Sequence, residues 1–151
     1  MSQSERPARI ERLRIPPGRR IIAISDIHGN LPYLQGLLKK LRFDRDDILI
    51  IDGDFLEKGP DSLGTLRYIM RLAESGNVHT VCGNCDGWAD VFRMPPEADE
   101  RLLSYMLYKK SGLLWEMCNS AGIDPFELEG LSCCKKELFN AFTDEWRFLS
   151  R

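Results

Sequence analysis

Three short apolar runs constrain the fold of this chain most strongly, because each leads directly into a loop of polar residues and glycine. The runs are rich in β-branched residues and occupy positions 20–25, 47–52 and 77–82. Their composition and length are typical of buried β-strands. Between them, apolar residues at helical spacing predict helices over 31–41 and 61–73. The order β-α-β-α-β predicts an α/β fold built on a parallel sheet with right-handed crossovers.

The segments on either side of this pattern have a different character. Residues 1–18 are polar and arginine-rich, and we expect them to form an arm that leads into an α/β core over 19–93. Residues 94–151 contain no convincing strand and should form a helical region. Within it, helices are predicted over 98–110, 112–121 and about 134–149.

Composition and charge exclude several classes of protein. The chain has 151 residues, of which 43% are hydrophobic and 29% charged, as in one ordinary globular domain. Its 21 basic and 23 acidic residues give a net charge of −2, which argues against a nucleic-acid partner. The sequence shows no secretory signal and no apolar stretch long enough to cross a bilayer. We therefore expect a cytoplasmic protein with reduced thiols and no membrane partner.

The polar residues that follow the predicted strands are of the types that bind metal ions. Asp26 and His28 follow the first run, Asp54 the second, and Asn84 and Asp86 the third. Asp26 to Asp54 is 28 residues and Asp54 to Asn84 is 30, each close to one βα unit of about 30 residues. The three loops should therefore meet at the carboxyl edge of the sheet, where open α/β sheets bind ligands. Such a donor set suits Mn²⁺, Fe or Zn²⁺, and Asp54 could bridge two ions.

The loop sequences DIHGN, GDFLEKGPDS and GNCD resemble the first three motif blocks of the calcineurin-like metallophosphoesterases. GDFLEKGPDS followed by LGTLRYIMRL looks most like the phosphoprotein phosphatase and diadenosine tetraphosphatase branch, and the resemblance covers residues 20–88. It implies half of the family's sandwich, two divalent ions with Mn²⁺ favoured, and hydrolysis of phosphate esters by a two-metal-activated hydroxide. The implied substrate is a phosphoprotein, a dinucleoside polyphosphate or a small phosphate ester.

The resemblance also implies a role for each motif residue. The metal ligands would be Asp26, His28, Asp54 as the bridge, and Asn84. The catalytic residues would be Lys58, Cys85 and Asp86, with two departures from the family pattern. Lys58 replaces a phosphate-binding arginine, which keeps the charge but loses the bidentate fork. Cys85 replaces the histidine that protonates the leaving group and that the following acid, here Asp86, steers; a thiol can also donate a proton.

The metal-binding histidines of the family's second half have no counterpart here. The chain has only two histidines, His28 and His79, and His79 lies within the third predicted strand, where we expect a structural role. The chain is therefore expected to stop inside the helical region, before the second half of the family's domain. Alone it should hydrolyse phosphate esters weakly or not at all.

Other interpretations account for single motifs. The sequence CGNC at 82–85 has the C-x-x-C pattern of a redox site, and with the cysteines at 133 and 134 it could form a structural zinc site. The sequence DGD at 52–54 is faintly similar to the nucleophile loop of haloacid-dehalogenase phosphatases, but the residues after it do not fit. The two cysteine hypotheses leave DIHGN and GDFLEKGPDS unexplained.

A second functional class is a non-catalytic phosphoesterase-like module, or a fragment, that acts through association of its helical tail. Apolar residues of the predicted helices would then pack on a missing half or on another copy of the chain. Alternatively, they cover the core of this half. The residues concerned are Leu102, Leu103, Met106, Leu107, Leu113, Leu114, Trp115 and Met117.

Overall fold

The computed structural model describes residues 10, 12–88, 108–126 and 131–150. Within them, a three-stranded sheet consists of β1 (Ile21–Ile24), β2 (Ile48–Asp52) and β3 (Val78–Val81), in the order β1-β2-β3. Both strand pairs are parallel, with Ile22 opposite Leu49 and Leu49 opposite Val78. The expected parallel sheet is confirmed, and each strand is one or two residues shorter than the apolar run that predicted it.

Two crossover helices lie on one face of this sheet. Helix α1 spans Leu31–Leu41 and helix α2 spans Ser62–Ala73, and the two contact each other. Helix α1 ends at Arg42, whose left-handed backbone lets its N–H turn back onto carbonyls of the last turn. Helix α2 is capped by Asp61, whose carboxylate accepts a hydrogen bond from the Gly64 N–H. Both helices begin just after a polar loop and therefore fix where that loop lies.

The two faces of the sheet differ in how well they are covered. Alternation along the strands places Ile22, Leu49 and Val78 on one face, where each is less than a tenth exposed. The opposite face carries Ile21 and Val81, which are 52% and 53% exposed. Half of the sheet's apolar surface is thus packed under α1 and α2, and the other half is partly open to solvent.

The C-terminal part of the chain forms two short helices where the sequence pattern predicts one over 134–149. Helix α4 spans Leu131–Ala141 and helix α5 spans Thr143–Leu149. They are separated at Phe142, whose φ of −123° and ψ of 40° are not helical. The change of direction buries both Phe142 and Trp146, and the Trp146 Nε1–H donates to a carbonyl of α4 at 3.0 Å. Tertiary packing of two large aromatic rings therefore overrides the continuous helical pattern.

Helix α3, Leu113–Ala121, packs against α2. Its apolar residues Leu113, Leu114 and Met117 are at most 1% exposed and belong to the core of this half. The sequence left open whether these residues pack on a missing half or another copy, or cover the core of this half. Leu113, Leu114 and Met117 cover the core of this half. The predicted helix over 98–110 and its apolar residues at 102–107 lie outside the described residues, apart from 108–110.

Glu116 joins α3 to the start of α2. Its carboxylate oxygens accept hydrogen bonds from the N–H groups of Ser62 and Leu63, at 3.0 and 2.6 Å. These are amides of the first helical turn, which have no partner within the helix. The negative charge also lies at the positive end of the helix dipole. Burial nevertheless raises the pKa of Glu116, so part of this stabilisation offsets the cost of desolvating the carboxylate.

Candidate metal and phosphate site

The loops that follow the three strands meet at the carboxyl edge of the sheet. The N–H of Asp26 donates to the carbonyl of Gly53 at 3.2 Å, and the N–H of His28 donates to the carbonyl of Asp54 at 2.9 Å. These bonds join the first loop to the second. The second loop also lies against the third, because a Cβ at Gly53 would come within 2.8 Å of the Gly83 Cα. The convergence expected from the βα spacing is therefore present.

The backbone of these loops adopts left-handed conformations at residues other than glycine. Asp26, His28, Asp54 and Lys58 have φ values of 55°, 47°, 52° and 65°. Such values are uncommon for residues with a side chain and cost free energy unless the surroundings enforce them. Strain of this kind is concentrated at functional sites. These four belong to the residues that the sequence singles out for chemistry at this edge, and Glu57 of the second loop, with φ 62°, shares the conformation.

The imidazole of His28 is held so that one ring nitrogen faces the other loops. Nδ1 lies 3.3 Å from the carbonyl oxygen of Leu56. Because a carbonyl only accepts hydrogen bonds, Nδ1 carries the hydrogen and Nε2 of the neutral ring has a lone pair. Nε2 lies 3.3 Å from Lys58 Nζ and 3.6 Å from Asp26 Oδ1. A backbone carbonyl that fixes the tautomer in this way is a frequent partner of metal-binding histidines.

Asp54 is oriented by the third loop. Its Oδ1 accepts a hydrogen bond from the Cys85 N–H at 3.0 Å. This bond is the main cause that lowers the pKa of Asp54, and the nearby His28 and Lys58 act in the same direction. Asp54 is therefore ionised at neutral pH, and a carboxylate has further lone pairs that can bind a cation.

His28, Asp54 and Cys85 each place a possible ligand atom within 4.8 Å of the other two. The Cys85 sulfur also accepts a contact from the Asn84 side-chain nitrogen at 3.5 Å. Burial, and next the negative charge of Asp54, raise the pKa of Cys85. Asp26 lies at the margin of this cluster, with its side chain 68% exposed. The predicted metal ligands thus lie at one edge of the sheet, and the ligand roles of Asp26, His28, Asp54 and Asn84 remain predictions.

Asp86 is fully buried and bonds to backbone rather than to the Cys85 side chain. One carboxylate oxygen accepts from the Leu56 N–H at 3.0 Å, and the other accepts from the Gly83 N–H at 2.9 Å. Burial raises the pKa of Asp86. These contacts tie the second loop to the third, and the backbone of the same residue, Leu56, contacts His28 through its carbonyl. The catalytic role expected for Asp86 remains a prediction, beside this structural one.

Glu57 is a partly buried acid of the second loop for which the sequence predicts no role. One of its carboxylate oxygens accepts from the Trp88 Nε1–H at 3.0 Å and from the Leu113 N–H at 2.8 Å. Burial raises the pKa of Glu57, as it does for Glu116. Because Glu57 lies inside the motif GDFLEKGPDS, its place in the sequence could have marked it as a residue of this site. Glu116 had no such signal, because its partners are more than 50 residues away in the chain.

The other interpretations gain no support from the described residues. Cys134, which a zinc site with CGNC would need, lies in the helical layer with its sulfur 3.9 Å from that of Cys118. Asp52, the nucleophile of the haloacid-dehalogenase hypothesis, ends β2 with an exposed side chain.

The donor set at the sheet edge fits a divalent metal ion. It offers an imidazole nitrogen, carboxylate oxygens and a sulfur, which together suit borderline ions such as Zn²⁺ and Fe²⁺ and, through the oxygens, Mn²⁺. Lys58 Nζ already lies against the His28 lone pair, which indicates that a positive charge is accommodated at this point. The residues present therefore agree with the ions that the loop motifs imply.

Comparisons with known proteins point in the same direction. A model of the calcineurin-like phosphoesterase family matches residues 19–149. The chain is 32% identical over 142 residues to a protein of Photorhabdus laumondii named symmetrical bis(5'-nucleosyl)-tetraphosphatase, covering 79% of this chain and 50% of that relative. Proteins of the same name from Colwellia psychrerythraea and Ralstonia nicotianae are each 43% identical, over 67 and 72 residues, covering 44% and 48% of this chain and 23% of each relative.

The chain therefore spans half the length of the Photorhabdus relative and about a quarter of the length of the other two. No solved structure matches the chain. Among the described residues, no helix combines the length and the apolar character needed to cross a membrane.

Proposed function

Because the chain belongs to the calcineurin-like phosphoesterase family, we propose that it binds divalent metal ions at the loop edge of its sheet and hydrolyses phosphate esters there. The observation that carries this proposal is the convergence of His28, Asp54 and Cys85 within 4.8 Å. His28 and Asp54 would hold the metal with Asp26 and Asn84, as the loop motifs imply. Two ions with Mn²⁺ favoured remain the expected complement.

Divalent ions at this edge would supply a water molecule of lowered pKa and positive charge for the phosphate oxygens. The chain's own residues prepare the site for them. The hydrogen bond to Leu56 keeps the His28 Nε2 lone pair available, and the Cys85 N–H holds the ionised Asp54 carboxylate in place. Lys58, whose Nζ lies 3.3 Å from His28 Nε2, is placed to contact an oxygen of the phosphate.

The substrate class that we favour is a dinucleoside polyphosphate. Three relatives, from Photorhabdus, Colwellia and Ralstonia, are named symmetrical bis(5'-nucleosyl)-tetraphosphatases. The exposed side chain of Asp26 leaves the edge of the sheet open to a large substrate. Phosphoproteins and small phosphate esters are the other substrates that the family resemblance implies, and a cytoplasmic setting suits all three.

We expect slow turnover from this chain alone. The site receives one histidine, His28, and the alignment covers half of the Photorhabdus relative. A second candidate function, association without catalysis, is favoured by the half-exposed Ile21 and Val81 on the open face of the sheet. Metal binding without any hydrolysis would support that second candidate.

The experiment compares the chain with Asp54→Asn and with Asp52→Asn in hydrolysis of diadenosine tetraphosphate and of an aryl phosphate, with and without Mn²⁺. Asp52 is a matched control because it lies two residues away, is exposed and loses the same charge. We expect slow, Mn²⁺-dependent hydrolysis that Asp54→Asn abolishes and Asp52→Asn leaves unchanged. Equal rates in all three proteins, or rates that do not depend on the metal, would overturn the proposal.

A further inference from the structure

We propose that Cys85 is itself a metal ligand, so that His28, Asp54 and Cys85 form a three-donor site for a thiophilic divalent cation such as Zn²⁺. The inference deepens the proposed function, since it concerns the ion at the same site. It concerns a residue at which this chain departs from the family motif, where a cysteine stands in place of a histidine. The departure puts a sulfur atom beside a nitrogen and an oxygen donor.

The spacing of the three donor atoms suits one ion. Donors about 2.0–2.3 Å from a tetrahedral Zn²⁺ lie about 3.5 Å from one another. In the structure the ligand atoms of His28, Asp54 and Cys85 lie within 4.8 Å. Side-chain rotations that move the donor atoms by about 1 Å would therefore bring all three into contact with one ion. A fourth position would be left for water, as in catalytic zinc sites.

Each of the three donors is supported by a second contact. The Nδ1–H of His28 donates to the Leu56 carbonyl at 3.3 Å, which leaves Nε2 as the ligand atom. Asp54 accepts the Cys85 N–H at 3.0 Å, and the Cys85 sulfur accepts from the Asn84 side chain at 3.5 Å. Contacts of this kind fix the orientation of ligands before the ion arrives.

Binding through sulfur changes both the ion and the role of the thiol. The Cys85 S–H bond breaks, its proton passes to solvent, and a sulfur–metal bond forms. Thiolate is a soft ligand that favours Zn²⁺ or Cd²⁺ over Mn²⁺. Cys85 then no longer carries the proton that the family pattern would give to the leaving group. Lys58 must also move, because its Nζ lies 3.3 Å from the same nitrogen of His28 that the ion would use.

The test uses Co²⁺ as a spectroscopic probe of the whole chain. A Co²⁺–thiolate bond gives a charge-transfer absorption band in the near ultraviolet that oxygen and nitrogen ligands do not give. We expect this band in the unsubstituted chain and its loss in Cys85→Ser. Cys133→Ser is the control, because it removes an exposed cysteine elsewhere and should keep the band.

Cys85→His should bind Co²⁺ without the band. Loss of a residue that only supports a ligand lowers metal affinity by about 10–100-fold. Because Cys85 would be a ligand itself, the Cd²⁺ affinity of Cys85→Ser should fall by more than that.

A second readout needs no substitution. Zn²⁺ should slow alkylation of Cys85 in the unsubstituted chain, measured peptide by peptide, while Cys133 reacts at an unchanged rate. A band that survives in Cys85→Ser, or alkylation of Cys85 that Zn²⁺ does not slow, would overturn the inference. If the chain hydrolyses the substrate with Mn²⁺ but shows no Co²⁺–thiolate band, the proposed function stands and the inference about Cys85 fails. If the chain shows the band but no hydrolysis, Cys85 is a ligand and the proposed function fails.

Discussion

Replacing Asp86 by Asn should destabilise the protein by about 2 kcal/mol. The buried carboxylate accepts one N–H from each of two loops, at Leu56 and Gly83. An amide of the same shape keeps one acceptor and turns an NH₂ group toward the other N–H. A lost hydrogen bond to a charged group costs about 1.5–3 kcal/mol, with the N–H left unpaired. Because burial raises the pKa of Asp86, removing the buried charge offsets part of this cost.

The assay is urea unfolding followed by fluorescence, with Asp52→Asn as the control for loss of one exposed carboxylate. With a slope of about 2 kcal/mol/M, the midpoint of Asp86→Asn should fall by about 1 M. Metal affinity should fall as well, because Asp86 holds the N–H of Leu56 and the carbonyl of the same residue orients His28. If Asp86→Asn unfolds at the same urea concentration as Asp52→Asn and loses only activity, Asp86 acts in the chemistry alone and its two backbone hydrogen bonds do not stabilise the fold.

Glu116→Ala should lower the urea midpoint by an amount worth about 1–2 kcal/mol, since the Ser62 and Leu63 amides lose their acceptor. Glu57 has a pKa raised above 4.5 by burial, so its contribution to stability is lost as pH rises through the folded value. In urea unfolding, Glu57→Gln should therefore lose less stability than the unsubstituted chain as pH rises above 4.5, the ordinary pKa of this carboxyl. Lys58→Ala should raise KM about tenfold with Mn²⁺ present, and Lys58→Arg should restore it.

The order of strands and helices was predictable because it depends on local periodicity. The apolar runs gave β1 to β3 within a residue at either end, and α1 has the predicted bounds. The family was predictable because three motifs recur at one βα spacing, and the match over residues 19–149 confirms it. The break at Phe142 was not predictable, since packing of aromatic rings within the helical layer decides it.

The contacts that organise the site were harder to predict, because they join residues far apart in the chain. The sequence marks Asp86 as a catalytic acid, and only the folded loops show its carboxylate bonded to two backbone amides. Glu116 reaches the start of α2 from more than 50 residues away. Lys58 and His28, whose side chains lie 3.3 Å apart, both have left-handed backbone. Such conformations are selected by tertiary contacts rather than by local preference.

Anomalous X-ray diffraction from crystals of the chain grown with Zn²⁺ or Mn²⁺ would show whether the carboxyl edge of this sheet is a metal site. We expect an anomalous peak about 2.0–2.3 Å from His28 Nε2 and from an Asp54 carboxylate oxygen, and no such peak in crystals of Asp54→Asn. A peak bound only elsewhere on the protein, or one that remains at this edge in Asp54→Asn, would contradict that expectation.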